Sequence, residues 1–382
     1  MTLKRFVVCS MLLWPLTSFA QNAENSAQYT LSPTSPLGVS VAVDLLHPAS
    51  FDNDSENRFI VRDAEISLFG SIDHLFDGVL TFTGHSEKEG FHFEIHEAYV
   101  GSSKLIPRSR FRLGKFLLGV GRLNQFHRHD WPFITAPKVQ RDFFNFGNSP
   151  YDAESAIDTG VEYSVLIPLP FYFDLTVGVT NGYEFGHSHA EAHEHDHDHE
   201  HDHPTSKRPQ SPLYYVRPAF YLDFDDGAGL LVGLNYLNRK DHSGIEMALT
   251  GVDATYKIRD GRRLKWLLQS EVWHRALHQT TEGDVSTLGA YFYPQYGWSE
   301  NTLFGLRFDA YSQLTYAVEG EKKKNLDYAI VPTFTYKPSE FSRLRLAYTH
   351  DVNTTEGDAD RNDRRIEFQF VYFLGAHPAH DF

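Results

Sequence analysis

Eight histidines alternate with acidic residues between Gly186 and Pro204, and their side chains could bind metal ions. Imidazole nitrogen is a common ligand of Zn²⁺, and carboxylate oxygens can complete a tetrahedral ligand set. Zinc is the ion we favour, with nickel and copper as alternatives, since copper binds imidazole more tightly. The candidate ligands of this histidine tract are His187, His189, His193, His195, His197, His199, His201, His203, Asp196, Asp198 and Asp202.

The tract has almost no apolar side chains, so we expect it to be disordered without metal. It would then offer several weak and interchangeable sites. Because a bound imidazole must be neutral, binding should weaken below about pH 6. The alternative is a solvated low-complexity loop with no selected role.

Two smaller clusters combine the same residue types. His127, His129 and Asp130 form an H-x-H-D pattern at the start of an aromatic-rich segment, 123–155. They could bind metal as a relay site, or pack and hydrogen bond against neighbouring structure. His92, Glu94 and His96 alternate on one predicted strand. Because neighbours at i and i+2 lie about 7 Å apart, they should bridge an ion only loosely, so we interpret them as lumen polarity.

Motifs and charge exclude several functions. The chain has no G-x-S-x-G, no H-E-x-x-H and no glycine-rich phosphate loop, so no enzyme activity is predicted. It carries 35 Lys and Arg against 50 Asp and Glu, a formal net charge of −15. Nucleic-acid binding needs basic surfaces, so no nucleic-acid partner is expected.

The first twenty residues predict export. Lys4 and Arg5 precede an apolar run, 6–16, and Ser18 and Ala20 occupy the −3 and −1 positions of a signal-peptidase site. The single cysteine, Cys9, lies within this segment. We therefore expect residues 1–20 to be removed as a signal peptide, leaving a mature chain without cysteine.

Long stretches of alternating apolar and polar residues are typical of membrane strands that face lipid on one side and a lumen on the other. The clearest stretch is 303–316, where Phe304, Leu306 and Phe308 alternate with Arg307 and Asp309. About sixteen such strands are predicted, with fourteen or eighteen as alternatives. Their starts lie near residues 37, 58, 77, 90, 110, 156, 170, 212, 228, 245, 262, 285, 301, 326, 341 and 364.

The predicted fold is therefore an all-β transmembrane antiparallel barrel spanning 37–374. It is preceded by a periplasmic segment, 21–36, and followed by a C-terminal tail, 375–382. The predicted connections separate into short periplasmic turns and long extracellular loops, as such barrels require. The histidine tract lies in the fourth extracellular loop, 184–211. The third extracellular loop, which contains the aromatic-rich segment 123–155, carries too many aromatic residues for an exposed surface. We therefore expect it to fold into the lumen.

Several arginines fall on the lumen-facing side of the predicted strands. They could pair with Asp174, Asp309 or Glu367, or they could form a path for anions. The arginines are Arg110, Arg112, Arg217, Arg307, Arg343, Arg345 and Arg365.

Two stretches resemble known porins. "RDAEISLFGSIDHLFDGVLTFTG" followed by "FEIHEAYVGSSKLIPRSRFRLGKFLLGVGRLNQ" is similar to the N-terminal half of the phosphate-selective O and P type. "GRLNQFHRHDWPFITAPKVQRDFF" looks more like a subfamily with His-rich loops that is associated with zinc uptake. The resemblance covers residues 58–183 and implies a sixteen-stranded barrel, an inward-folded third loop and a trimer as one assembly. Lys115, His127, His129 and Asp130 match its motifs, whereas the acidic charge departs from a phosphate channel.

The function predicted from these patterns is a channel of the bacterial outer membrane that captures divalent metal, above all zinc, and passes it to the periplasm. A general or anion-preferring porin and a surface receptor or adhesin are the alternatives. Expected partners are outer-membrane lipid and lipopolysaccharide, the barrel-assembly machinery, metal ions and, in a homotrimer, further copies of the chain. The terminal Phe382 is similar to the signal which that machinery reads.

Overall fold

The computed structural model describes residues 37–52, 57–87, 90–144, 149–182, 209–224, 227–280, 283–315, 317–318, 321–322, 325–355 and 360–375. Four predicted features lie outside them: the signal peptide, the segment 21–36, the histidine tract and residues 376–382 of the tail. Within the described ranges, no helix is both long and apolar enough to cross a membrane.

Sixteen antiparallel strands form a closed barrel, in which the first strand pairs with the last. This confirms the predicted fold and strand number. A two-residue pair, β14 (Ala317–Val318) and β15 (Glu321–Lys322), lies outside the barrel sheet. The barrel strands are β1 (Gly38–Ser50), β2 (Ile60–Ser71), β3 (Asp77–Glu87), β4 (Gly90–Ser102), β5 (Ser109–Leu117), β6 (Ile157–Leu166), β7 (Tyr172–Thr180), β8 (Leu213–Phe224), β9 (Ala228–Lys240), β10 (Glu246–Asp260), β11 (Arg263–Thr280), β12 (Gly283–Gly297), β13 (Thr302–Thr315), β16 (Asn325–Ser339), β17 (Ser342–Thr355) and β18 (Arg361–Gly375).

The alternation along each strand decides which side chains meet lipid. In β18, Ile366 and Phe368 are 40% and 43% exposed on the outer face. Glu367 and Gln369, on the other face, are fully buried inside the barrel. The apolar outer face suits contact with lipid. The closed barrel also pairs the backbone groups of each strand with those of its neighbours, as a membrane requires.

Connections of different length lie at the two rims. One rim, the short-turn rim, carries tight links such as 261–262 and 340–341. The opposite rim, the long-loop rim, carries the two longest connections, 118–156 and 181–212. We call the segment 118–156 the third loop, because it is the third connection at the long-loop rim.

The described residues of the third loop, 118–144 and 149–156, lie inside the barrel. The loop contains two 3₁₀ turns, Leu123–Gln125 and Arg128–Asp130, and a short helix, α1 (Lys138–Phe144). Its backbone carbonyls accept hydrogen bonds from lumen-facing side chains of β2, β12, β13 and β17. The pairs are Arg62 to Ile134 O (2.5 Å), Tyr293 to Pro132 O (3.1 Å), Arg307 to Thr135 O, and Arg345 to Trp131 O (2.5 Å).

Aromatic packing holds the loop against one half of the wall. Phe133 is fully buried, with ring centroids 5.7 Å from Tyr291 and 5.2 Å from Tyr293 in edge-to-face arrangements. Phe144 packs at 5.0 Å on Trp273. Such contacts contribute beyond the area that they bury, so this side of the lumen is a packed core.

A second apolar cluster holds the loop against the other half. Ile134 and Tyr151 of the loop pack with Leu46 of β1, Ala329 of β16 and Ala347 of β17. The loop therefore has apolar contacts with both sets of strands. Its side chains His127 and Arg128 contact the wall formed by β2, β3 and β4, whereas Lys138 contacts Asp351 of β17 at 2.5 Å.

Most of the predicted lumen-facing arginines pair with carboxylates. Arg307 contacts Asp309 at 3.0 Å, and Arg365 contacts Glu367 at 3.3 Å. Arg112 and Arg217 pair with Glu162 and Asp253 at 2.5 and 2.7 Å. Arg343 instead donates to the carbonyl of His129 at 3.1 Å. Pairing and loop anchoring thus account for six of these arginines, whereas Arg110 reaches the hydroxyl of Ser164 at 3.5 Å. Of the three carboxylates named in advance, Asp309 and Glu367 are partners.

Candidate metal centre

Two β-bulges shape the wall that faces the third loop. The pairing of β3 with β4 shifts between Thr81 and Phe82, so that His96 is an extra residue on β4. His96 and its neighbour Glu97 are both 5% exposed and both point into the lumen. A bulge places two successive residues opposite one partner residue, so that both side chains can point into the lumen. In a regular strand, successive side chains point to opposite faces.

The second bulge lies in β2. The pairing of β1 with β2 shifts between Asp44 and Leu45, which makes Arg62 the extra residue. Arg62 and Asp63 are consequently both buried in the lumen. The two bulges together gather charged groups on one patch of wall opposite the loop.

We call this patch and the facing loop residues the acidic seam. It has a wall side and a loop side, and a cavity lies between them. Its members are Asp63, Glu65, His85, Glu94, His96 and Glu97 from β2–β4, and His127, Arg128, His129, Asp130 and Glu154 from the third loop.

Three side chains on the wall converge in the geometry of a metal site. His85 Nε2 and His96 Nε2 lie 3.2 Å apart, and Glu94 Oε1 lies 3.1 and 3.2 Å from them. Ligand atoms of a tetrahedral zinc ion are about 3.3–3.4 Å apart, given bonds of 2.0–2.1 Å. Glu154 of the loop approaches the same two nitrogens at 3.5 and 3.3 Å. We call His85, Glu94 and His96 the wall triad.

This geometry corrects one expectation from the sequence. Glu94 and His96 were expected to be too far apart for close bridging, yet their ligand atoms are 3.2 Å apart. Their long side chains converge from the bulged strand, and His85 joins them from the neighbouring strand. The side chain of His92 lies outside the described residues.

The loop side of the seam carries the H-x-H-D cluster. His127 bridges two carboxylates of the wall, with Nδ1 3.0 Å from Glu65 and Nε2 2.9 Å from Glu97. His129 Nδ1 lies 3.9 Å from Glu65, and its Nε2 lies 3.5 Å from Asp130. The structure thus brings all three sequence-predicted residues to the seam.

Arg128 anchors the loop between these histidines. Its guanidinium contacts Asp63 at 2.5 Å and Glu154 at 3.1 Å. It also donates to the carbonyls of Tyr151 and Arg62, at 2.6 and 3.2 Å. Charge-assisted pairs of this kind are strong and directional, and this one orients His127 and His129 toward the wall.

The electrostatics of the loop residues follow from their neighbours. Burial disfavours a charged imidazole, but the carboxylates of Glu65 and Glu97 raise the pKa of His127 well above its usual value. Burial would raise the pKa of Glu154, but the positive charges of His96 and Arg128 lower it. The proton on His127 therefore neutralises carboxylates that a bound metal ion could neutralise instead.

The seam has an excess of negative charge. The guanidinium of Arg62 is paired with Asp44 at 2.5 Å. The carboxylates of the seam outnumber its remaining guanidinium, that of Arg128, when the imidazoles are neutral. Buried carboxylates are stable only when they are paired or coordinate cations. The arrangement can therefore bind cations, either protons on the imidazoles or a divalent ion between them.

Sequence patterns missed five members of the seam: Asp63, Glu65, His85, Glu97 and Glu154. A signal was available for one of them, Glu97. The outward apolar residues of β4 change phase, since Ile95 is followed by Ala98 at a spacing of three instead of two. The histidine tract lies outside the described residues, so its predicted ligands have no observed position.

By sequence, the chain resembles one curated protein at low identity. No family model matches it. A protein of Aquifex aeolicus (strain VF5), described only as uncharacterized, is 25% identical over 352 residues, which cover 86% of this chain and 71% of that protein.

Solved porins share the fold at low identity. An anion-selective porin from Comamonas acidovorans has a TM-score of 0.59 at 10% identity, covering 89% of this chain and 99% of its own. The channel DcaP of Acinetobacter baumannii has a TM-score of 0.57 at 12% identity, with 89% and 96% covered. The trimer form of OmpT from Vibrio cholerae has a TM-score of 0.57 at 10% identity, with 89% and 99% covered. The chain is thus an outer-membrane β-barrel with a porin-like fold.

Proposed function

We propose that this barrel captures a divalent transition metal ion, zinc above all, and conducts it along the acidic seam to the periplasm. The observation that carries the proposal is the wall triad, in which two imidazole nitrogens and a carboxylate oxygen lie 3.1–3.2 Å apart. These separations match the edges of a tetrahedral zinc site. Nickel and copper are compatible with the same donors.

The proposal gives the histidine tract the role of first capture. The tract lies between β7 and β8, whose connection belongs to the long-loop rim. The wall triad lies near that rim, because it comes from the end of β3 and the beginning of β4. If the long-loop rim faces outward, as in porins, an ion held by the tract meets the wall triad next.

Zinc-limited growth tests the proposal in cells. In one variant the eight tract histidines are replaced by asparagine; in another, His85 and His96 are replaced by glutamine. Both should slow growth and zinc uptake when zinc is scarce, and added zinc should restore growth. A matched control is His278→Gln, which alters a half-exposed histidine paired with Asp284 at 3.0 Å. Normal zinc uptake by both variants would exclude the proposal.

An anion-preferring porin is the second candidate function. It is favoured by the lumen-facing Arg343 and Arg345, neither of which forms an ion pair with a carboxylate of the described chain. A solved porin of similar fold is named as anion-selective. Ion selectivity separates the two functions, because the seam favours cations and the arginines favour anions.

We also propose that the chain assembles as a homotrimer in outer-membrane lipid. OmpT of Vibrio cholerae, which shares the fold, is described in a trimer form. Light scattering of the detergent-solubilised protein would measure the mass of the assembly. A mass of one chain would exclude the trimer.

A further inference from the structure

The possible metal ligands of the seam form three overlapping groups. In each group, one ligand atom per residue lies within 4.8 Å of the others. The wall triad shares His85 with one neighbouring group and His96 with the other. The groups are Asp63–His85–Glu154, His85–Glu94–His96 and Glu65–His96–His127.

The last group, which we call the loop triad, joins wall to loop. Glu65 and His96 belong to the wall, and His127 belongs to the third loop. The imidazole rings of His96 and His127 are nearly parallel, at 6° with centroids 6.3 Å apart. The ring of His129 continues the row, 5.7 Å from His127 and also at 6°.

A small cavity lies between the wall and the loop. It is lined by Glu65, His96, His127, His129 and Glu154. The loop triad therefore faces this cavity, and His96 is the member of the wall triad that lines it.

Sharing a ligand has a kinetic consequence. An ion that leaves the wall triad can keep His96 while Glu94 and His85 are replaced by Glu65 and His127. It is never stripped of all its protein ligands, so the energy barrier to movement is lower than for release into water. Conduction requires binding that is favourable enough for entry and weak enough for exit.

We propose that His96 is a shared ligand that transfers the metal ion from the wall triad to the loop triad. Because the two triads share this side chain, only one of the two can hold an ion at a time. This inference rests on the proposed function and adds a route and an order: wall first, third loop second. His127 is then required for passage but not for first binding in the lumen.

Cobalt binding and zinc flux test the order. The background is the full chain with the eight tract histidines replaced by asparagine, so that Co²⁺ absorption reports the lumen. We expect tight Co²⁺ binding at the wall triad. His96→Gln should weaken the binding of Co²⁺ at least about tenfold, because mutation of side chains that hold or support a metal site typically lowers metal affinity by that factor or more. His127→Gln should leave the Co²⁺ affinity of the wall triad unchanged.

Zinc flux into proteoliposomes is measured on the chain with its natural tract. His127→Gln and Glu65→Gln, which alter only the loop triad, should each reduce flux at least about tenfold. His278→Gln serves as the control. Heat-modifiable migration in gels checks that each variant forms a closed barrel, and the two independent loop-triad variants guard against a folding defect in one of them.

The outcomes separate the inference from the proposed function. Undiminished zinc flux in both loop-triad variants, or unchanged Co²⁺ affinity in His96→Gln, would overturn the transfer through His96 but not the proposed function. Absence of Co²⁺ binding to the background chain, together with absence of zinc flux through the natural chain, would overturn the proposed function as well.

Discussion

His96 illustrates how one backbone irregularity can create a site. It occupies the extra position of the β4 bulge, and its ring reaches Glu94 and Glu154 at 3.2 and 3.3 Å. Without the bulge, either His96 or Glu97 would point to lipid. Bulges next to functional sites commonly redirect a side chain in this way.

Metal binding at His127 should release a proton. The pKa of His127 is raised by Glu65 and Glu97 in spite of burial, so the imidazole is protonated at neutral pH when no metal is present. Zinc affinity should therefore rise with pH, and the heat of zinc binding should depend on the ionisation enthalpy of the buffer. Calorimetry in two buffers measures the effect, and identical heats in both would contradict it.

The same raised pKa affects the stability of the metal-free barrel. A group whose folded pKa exceeds its unfolded value contributes fully below the unfolded value, about 6.5 for histidine. This contribution is lost as the pH rises through the folded pKa. His127→Gln should therefore reduce the free energy of unfolding at pH 6 more than at high pH, as urea titrations would show; an equal loss at both would contradict the pairing.

Arg128 should matter more for stability than an exposed arginine. Arg128→Met leaves the buried carboxylates of Asp63 and Glu154 uncompensated, which typically costs about 3–5 kcal/mol. Arg364→Met is the matched control, since Arg364 pairs with Asp52 at 2.8 Å but is half exposed. Urea unfolding of the two variants compares the losses. Equal losses would show that Arg128 is not a buried anchor.

At the scale of elements, the third loop decides what remains of the lumen. Phe133 is fully buried between the loop and β12, and the guanidinium of Arg307 lies 4.7 Å from the centre of its ring. Carbonyls of the neighbouring residues accept hydrogen bonds from opposite walls. Packing and hydrogen bonding thus hold the loop in one position.

Phe133→Ala should loosen the loop. The loss of a buried phenylalanine typically costs about 3–5 kcal/mol, and the weaker packing should raise single-channel conductance. Phe304→Ala is the control, because that side chain is 48% exposed on the lipid side of β13. Bilayer recordings of both variants measure the change. Unchanged conductance in Phe133→Ala would mean that the loop does not restrict the pore.

The strands were predictable and the seam was only partly so. A strand with one face in lipid must alternate, and observed strands begin within about three residues of the predicted starts. The H-x-H-D motif predicted either a metal relay site or packing against neighbouring structure, and its residue His127 lies in the seam. Glu65 and Glu97 belong to strands that are distant in sequence from His127, and a bulge turns the side chain of Glu97 inward. Their approach to His127 depends on the pairing register of the strands, which the alternation of apolar and polar residues does not reveal.

At the scale of the whole molecule, opposite charges lie on different strands of the lumen wall. The acidic seam lies along β2–β4, and Arg343 and Arg345 lie on β17, which is separated from β2 by β1 and β18. The third loop lies between the two regions. Its carbonyl oxygens at His129 and Trp131 accept hydrogen bonds from Arg343 and Arg345, respectively. The seam should therefore dominate ion selectivity.

The channel should prefer cations. In a bilayer with a potassium chloride gradient, the reversal potential should have the sign of cation selectivity, because fixed negative charge concentrates cations in a narrow pore. Replacing Glu65 and Glu94 by glutamine should reduce the preference. Anion selectivity in the natural protein would instead favour the second candidate function.

The most direct test of the account is to locate zinc in the protein. Crystals grown with zinc chloride and measured at energies on both sides of the zinc absorption edge give anomalous difference maps that show the ion alone. The account predicts a peak bounded by His85, Glu94 and His96, which disappears in the His96→Gln variant. Zinc peaks confined to the histidine tract or to crystal contacts, with none in the seam, would contradict it.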